Sequence, residues 1–258
     1  MADTHRIRLI IEYDGTNYAG WQRQENALAV QQVIEAAWTR LTGETLVMTG
    51  SSRTDSGVHA LAQNIHFDTA SRIPPEKIAF ALNTTLPEDI RVRASMAADA
   101  DFHARFGATG KVYRYLLFNA RHDCALGRLT SAHVPLPLDT ARMQREADAL
   151  VGRHDFAAFA AAGSIVRDTV RTIYRAQVRR DGEWVAIYVH GDGFLYNMVR
   201  ILAGTLMEVG TGKREEGAIA RALASHSRLD LGMTAPAKGL TLMEVFYGND
   251  ADARKYFC

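Results

Sequence analysis

The sequence predicts an α+β fold, and three observations carry that prediction. The first hundred residues change periodicity in the order strand, helix, strand, strand, helix, strand. The second half repeats the same kinds of element without repeating the residues. Asp181-Gly182 stands between two apolar-rich runs, a strong hairpin signal that implies antiparallel pairing.

Arg6 to Tyr13 (RIRLIIEY) is β-branched and aromatic enough for a strand, central because of Leu9-Ile10-Ile11. Asp14-Gly15 ends it, and the loop GTNYAGWQRQ follows. Ala27 to Leu41 reads as a helix, with Val30, Val33, Ile34, Ala37, Trp38 and Leu41 at spacings of three and four and Gly43 as its stop. Trp38 reads as a core residue. Glu44 to Met48 is expected to be a short strand and Leu61 to Phe67 a longer one. Pro74-Pro75 opens a helix over Glu76 to Leu82, and Ile90 to Ala97 adds a strand. This order is that of a ferredoxin-like or RNA-recognition-type unit, with helices on a largely antiparallel sheet.

At Asp99 the composition turns small, polar and basic (ADADFHARFGATG), the best candidate linker. The expected domains are therefore 1–104 and 105–258. Lys111 to Phe118 (KVYRYLLF) is a strand with Tyr113, Tyr115 and Leu117 on one face. Thr140 to Val151 suits a helix. Thr169 to Arg180 and Trp184 to His190 form the hairpin. Phe194 to Gly210 reads as a long apolar helix, Lys213 to Ala224 as another, and Leu240 to Tyr247 as a closing strand.

At 258 residues, 47% hydrophobic and 23% charged, the chain has the composition of a soluble globular protein with room for one large or two modest cores. Its start carries no signal-peptide pattern, and the two cysteines, Cys124 and Cys258, make neither a disulfide framework nor a metal cluster. A reducing cytoplasm is the expected location. A net charge of +1 does not mark a nucleic-acid binder. However, basic residues outnumber acidic ones between Arg91 and Arg128, so a local positive face is compatible with the total.

The most concentrated chemistry lies in GSSRTDSGVHALAQNIHF, Gly50 to Phe67. Ser51, Ser52, Ser56 and Gly57 are turn formers, which project Arg53 and Asp55 from the mouth of a sheet. Taken alone, this turn is as well explained by structure as by catalysis. Arg200 sits among Met198, Val199, Ile201 and Leu202, either snorkelling at a helix edge or pinned by a carboxylate such as Asp55. Tyr113 is either a core residue or a base-stacking aromatic. Arg105, Lys111 and Arg114, with His103, lie near it and can hold phosphate oxygens, as can Arg23 and Gln24 in the first loop. GDGF at 191–194 lacks the ending of a phosphate-binding loop. His59, His66 and His154 lack metal-ligand spacing, and no serine elbow is present.

Taken together, these segments resemble one family. RTDSGVHALAQ (53–63) is similar to the RTD-x-GVHA signature of the TruA-type tRNA pseudouridine synthases. YDGTNYAGWQRQ (13–24), FHARFGATGKVYRY (102–115), GDGFLYNMVR (191–200) and PAKGLTLMEVFY (236–247) resemble that family's other motifs, in the same order.

The resemblance implies two α+β domains around a basic cleft, a homodimer, a tRNA partner and no metal or organic cofactor. It implies isomerisation of uridine at tRNA positions 38 to 40. Asp55 then matches the catalytic aspartate, Tyr113 the stacking tyrosine and acid–base candidate, and Arg200 the basic partner of the aspartate. Arg53 handles the flipped nucleotide, and Leu240 walls the uracil pocket. Ser56 stands where alanine is common and Thr241 where tyrosine is frequent, changes that leave these assignments intact. Gly107 and Gly110 depart from the family's more basic pattern and bear on phosphate contacts. Two other classes compete: a non-catalytic RNA-binding module, which would need RNP-like sheet aromatics, and a carboxylate hydrolase, which would need a second acid with motif support.

Overall fold

The computed structural model describes residues 4–160, 168–248 and 250–257, so Cys258 lies outside the described residues. The chain forms two compact units. One comprises the residues up to Thr109 together with Leu242–Gly248, the other Gly110–Thr241 and the residues after Gly248. The fold is α+β with largely antiparallel sheets.

The first unit is built on β1 (His5–Tyr13), whose alternate residues Ile7, Leu9, Ile11 and Tyr13 are buried. β1 pairs antiparallel with β3 (His59–Thr69) on one side and β4 (Ile90–Ala98) on the other. β10 (Leu240–Phe246) lies beyond β3. Helix α1 (Val30–Thr42) buries Val30, Ile34, Ala37 and Trp38 and ends on Gly43, whose φ of 80° is the left-handed conformation of a helix stop. Trp38 is fully buried, edge-on to Phe67 at 5.0 Å, which makes it core. Pro75–Lys77 forms a 3₁₀ turn that leads into α2 (Ile78–Asn83).

The expected strand at 44–48 is absent, and only the two-residue β2 (Thr49–Gly50) pairs with β3. Side chains of α1 take the backbone groups a ladder would have used. Glu35 accepts the Met48 amide at 2.9 Å and Gln31 donates to the Met48 carbonyl at 3.1 Å.

In the second unit β5 (Gly110–Phe118) pairs antiparallel with β9 (Trp184–Gly191), β9 with β8 (Val170–Asp181), and β8 with β7 (Gly152–Asp155). β6 (Ala132–His133) adds a short parallel contact to β5. The hairpin turns at Gly182, φ 56°. Helices α3 (Thr140–Asp148), α4 (Met198–Gly210) and α5 (Ala218–Ser225) complete the unit, with α4 almost wholly buried.

Helix α4 starts four residues later than its apolar run suggests. Asn197 takes the left-handed conformation, φ 62°, which stops a helix from extending back through Leu195 and Tyr196. α5 likewise begins at Ala218, behind Gly217 at φ 84°.

Candidate active site

In the first unit, the loop after β1 clasps the turn that carries Asp55. Trp21 donates its amide to Thr54 O (3.2 Å), and Gly57 donates to Tyr18 O (3.2 Å). The Tyr13 hydroxyl pairs with Thr54 Oγ1 at 2.8 Å. Two glycines allow this approach. A Cβ on Gly15 would stand 2.0 Å from Val58 O, and one on Gly20 (φ 88°) 2.3 Å from Thr54 O. Gly50 is held in the same way, because a Cβ there would lie 2.4 Å from Trp21 Nε1.

The turn itself runs from Asp55 to Val58. The Val58 amide bonds Asp55 O at 3.1 Å, and Gly57 at φ 77° supplies the positive φ of a type II turn. Gln63 on β3 fixes the start of the segment, with its amide oxygen accepting from the Ser51 hydroxyl (2.7 Å) and the Ser52 amide (3.2 Å). Its Nε2 donates to Ser52 O (2.6 Å). Arg53 is exposed, Thr54 buried and Asp55 half-buried. A largely buried, hydrogen-bonded frame thus carries the exposed Arg53 and the half-buried Asp55.

Two motif residues, Tyr18 and His59, support the clasp. Tyr18 donates to Asp89 at 2.6 Å; burial and then this carboxylate push its hydroxyl pKa well up, so it stays a neutral donor. His59, buried at the base of the turn, accepts the Gly15 amide at Nδ1 (3.0 Å) and lies 3.1 Å from Asp14 Oδ1. Accepting the amide proton requires the tautomer protonated at Nε2. Burial works against ionised Asp14, but hydrogen bonds from the Thr16 hydroxyl and amide hold its carboxyl below the usual range.

The basic candidates of this unit differ in their engagement. Arg23 is tied to the buried Glu35 carboxylate, and its amide bonds Gln31 Oε1 at 2.9 Å. Gln24 locks the loop through Ala19 O at 2.7 Å. Arg105 is exposed, its guanidinium 5.5 Å from the Phe106 ring centre.

In the second unit, Tyr113 is 6% exposed on β5, edge-on to Phe194 at 5.1 Å. Lys111 and Arg114 lie half-buried on the same strand. Arg200 occupies the first turn of α4, where the helix dipole disfavours a cation by ~0.3–1 kcal/mol. Helix stability does not account for its presence. Its guanidinium donates to Ala235 O (2.8 Å) and Asn197 Oδ1 (2.8 Å), while its own carbonyl accepts the Ala235 amide (3.0 Å).

Those bonds bind the PAKGL segment to α4. Gly204 lets the chain pass within reach, since a Cβ there would lie 1.9 Å from Met233 O. Tyr115, fully buried, donates to Pro236 O at 2.7 Å, and Gly239 leaves room for its ring. Burial raises the Tyr115 pKa strongly, with Arg200 opposing. Leu240, 5% exposed, follows immediately. Leu240 and Arg200 are therefore positioned by one scaffold.

A family model described as "tRNA pseudouridine synthase" matches residues 9–107 and 147–248. The chain belongs to the tRNA pseudouridine synthase family. Proteins named tRNA pseudouridine synthase A resemble it over nearly their whole length. That of Acetivibrio thermocellus is 51% identical, over 93% of this chain and 99% of its own. That of Ruminiclostridium cellulolyticum is 50% identical, over 94% and 99%. That of Brevibacillus brevis is 48% identical, over 94% and 99%. A chain of a solved Cbf5-Nop10-Gar1 complex overlaps at a TM-score of only 0.37 and 11% identity, covering 93% of this chain and 59% of that one, too slight a likeness to bear on the fold. Within the tRNA pseudouridine synthase family match, Arg23, Gln24, Arg53, Asp55 and Arg105 fall in the first segment and Arg200 and Leu240 in the second. Lys111, Tyr113 and Arg114 lie between the two segments.

Sequence reasoning missed Gln63, His59 and Tyr115 as supports. The glycines of YDG-x-x-Y-x-GW were the available signal, because closely spaced glycines beside a polar turn announce backbone approach.

Proposed function

We propose that this protein isomerises uridine to pseudouridine at positions 38, 39 and 40 of the tRNA anticodon stem-loop, with Asp55 as the catalytic group. The observation that carries the reading is the clasped Asp55 turn within a chain of the tRNA pseudouridine synthase family. The reaction breaks the N1–C1′ bond, turns the uracil and joins C5 to C1′, with loss of the C5 proton.

A stacked base hides those atoms, so the nucleotide leaves the stack at a cost of a few kcal/mol. Arg53, exposed on the turn, takes the vacated place. Tyr113 and Leu240 hold the detached uracil between an aromatic and an aliphatic wall, and confinement supplies most of the entropic advantage. Asp55 works as the carboxylate, by attack on ribose or uracil or by proton removal. Arg200 acts on the same uridine site and favours that charged form. Tyr113 is the acid–base group for the C5 proton. Arg23, Gln24, Arg105, Lys111 and Arg114 contact the tRNA backbone.

The same reading includes two ferredoxin-like domains, 1–104 with the aspartate and 105–258 completing a basic cleft. It also includes a homodimer, a cytoplasmic location and catalysis without a metal or organic cofactor.

Tritium release from unmodified tRNA labelled at uridine C5 tests the proposal. Wild type is expected to release tritium and Asp55→Ala none, with tRNA binding retained. A wild type that releases nothing from a tRNA with uridines at those positions overturns the activity. Full release by Asp55→Ala overturns the role of Asp55.

A further inference from the structure

Residues 102–106 build an aromatic surface that the uridine chemistry above does not use. Phe106 is 78% exposed, yet its ring has an ordered neighbour in His103, 4.4 Å away. His103 packs on His66 at 4.6 Å, and His66 meets Phe102 edge-on at 6.1 Å. Phe102 in turn packs on Tyr247 at 5.0 Å. Arg8 lies over both Phe102 (5.1 Å) and Tyr247 (4.4 Å), so the ring series is anchored in the sheet at its inner end.

The outer end is fixed by its backbone. His103 Nδ1 accepts the amides of Arg105 and Phe106, each at 3.1 Å, and Gly107 donates to His103 O at 2.8 Å. A loop this tightly bonded, holding a large apolar ring in water, is prepared for a flat partner. Phe106 remains largely exposed beside its His103 neighbour. Arg105 lies over the Phe106 ring, 5.5 Å from its centre, and so brings a cation to this surface. An aromatic face with an adjacent cation matches an unpaired nucleobase and its phosphate, because every base offers a π-face and every linkage a negative charge.

We propose that Phe106 is a stacking site for an unpaired base of the tRNA substrate, distinct from the target uridine, with Arg105 on that nucleotide's phosphate. The proposal rests on the tRNA-modifying activity argued above. It assigns Phe106 to affinity and positioning, not to the chemical step.

Direct binding of labelled, unmodified tRNA is measured for wild type, Phe106→Ala, Phe106→Leu and Phe106→Trp, with tritium release followed in parallel. Stacking on one aromatic is worth ~1–3 kcal/mol, so Phe106→Ala is expected to bind about 5- to 150-fold more weakly. Phe106→Leu, apolar but without a π-face, is expected to stay weak, and Phe106→Trp to restore affinity. The introduced indole should lose fluorescence on adding tRNA. At saturating tRNA, kcat should stay within about threefold of wild type in all variants.

Binding by Phe106→Ala within twofold of wild type overturns the proposal. Rescue by Phe106→Leu also overturns it and assigns a general apolar contact. A changed oligomeric state in Phe106→Ala with unchanged tRNA affinity overturns it in favour of a protein interface. Melting temperatures identify any variant that fails to fold, and Phe106→Leu and Phe106→Trp then decide the matter. Wild type that binds tRNA through Phe106 without releasing tritium would sink the activity while leaving the stacking site standing.

Discussion

Gly20→Ala is the most direct test of the clasp around Asp55. Two glycines in this unit have nearly the same left-handed backbone, Gly20 at φ 88° and Gly43 at φ 80°. Alanine at either pays the conformational cost, about 1–2 kcal/mol. They differ in what the new methyl meets. Gly43 has open space, whereas a Cβ on Gly20 would stand 2.3 Å from Thr54 O and 3.1 Å from the Asp55 carbonyl carbon. Backbone must therefore yield by about 1 Å before ordinary contact is restored, and the backbone in question carries Asp55. A displacement of that size at a reacting group costs about 100-fold in rate. Expected outcomes are a kcat about 100-fold below wild type for Gly20→Ala, with KM for tRNA changed less than about threefold. Gly43→Ala should lose stability but keep full kcat. Tritium release and thermal melts on the three proteins give the comparison. Equal kcat in the two variants would refute the claim that Gly20 positions Asp55.

Two further expectations concern the supports. Tyr115→Phe removes the donor to Pro236 O and strands a carbonyl, so stability should fall by about 1–3 kcal/mol in urea melts. Because burial keeps the Tyr115 hydroxyl neutral, the alkaline limb of the pH–rate profile should not move, and a shift there would assign it an acid–base role. In Asp68→Asn the two-bond pairing with Arg6, 2.8 Å at each oxygen, is weakened. The Arg6 hydrogen bonds hold the Asp68 carboxyl below its usual value. The wild-type advantage in melting temperature should therefore be present near pH 7 and shrink as pH falls below the ordinary carboxylate range, about 4. An advantage that grows with acidity would contradict that sign.

Strand positions were legible where periodicity and turn chemistry agreed, as in β1, β5 and the hairpin at Gly182. They failed where a distant side chain replaced a ladder. Glu44 to Met48 has the composition of a strand, but Glu35 and Gln31, more than a turn apart in sequence from it, capture Met48. Likewise nothing in the apolar run before Met198 announces that Asn197 turns left-handed; only the Arg200 side chain, bonding back to Asn197 Oδ1, shows why that corner is useful. Of the site, the motif residues could be named from the sequence, while the load carried by Gln63, His59 and Tyr115 could not. Their partners lie from 11 to 121 residues away, beyond any local pattern.

The membership of Leu242–Gly248 in the first unit has a consequence for how the chain is made. Thr109 donates to Phe246 O, its hydroxyl to Gly248 O, and Tyr247 closes on Ala104 O. About 130 residues separate the two parts of this unit, and translation at ~5–20 residues per second delivers them roughly 7–26 s apart. During that interval the edge of β3 beyond its short pairing with β2 is open, and Phe102 and Arg8 wait for the Tyr247 ring. The nascent first unit is thus an open sheet that the late strand closes, and residues 110–241 of the second unit are made before it arrives.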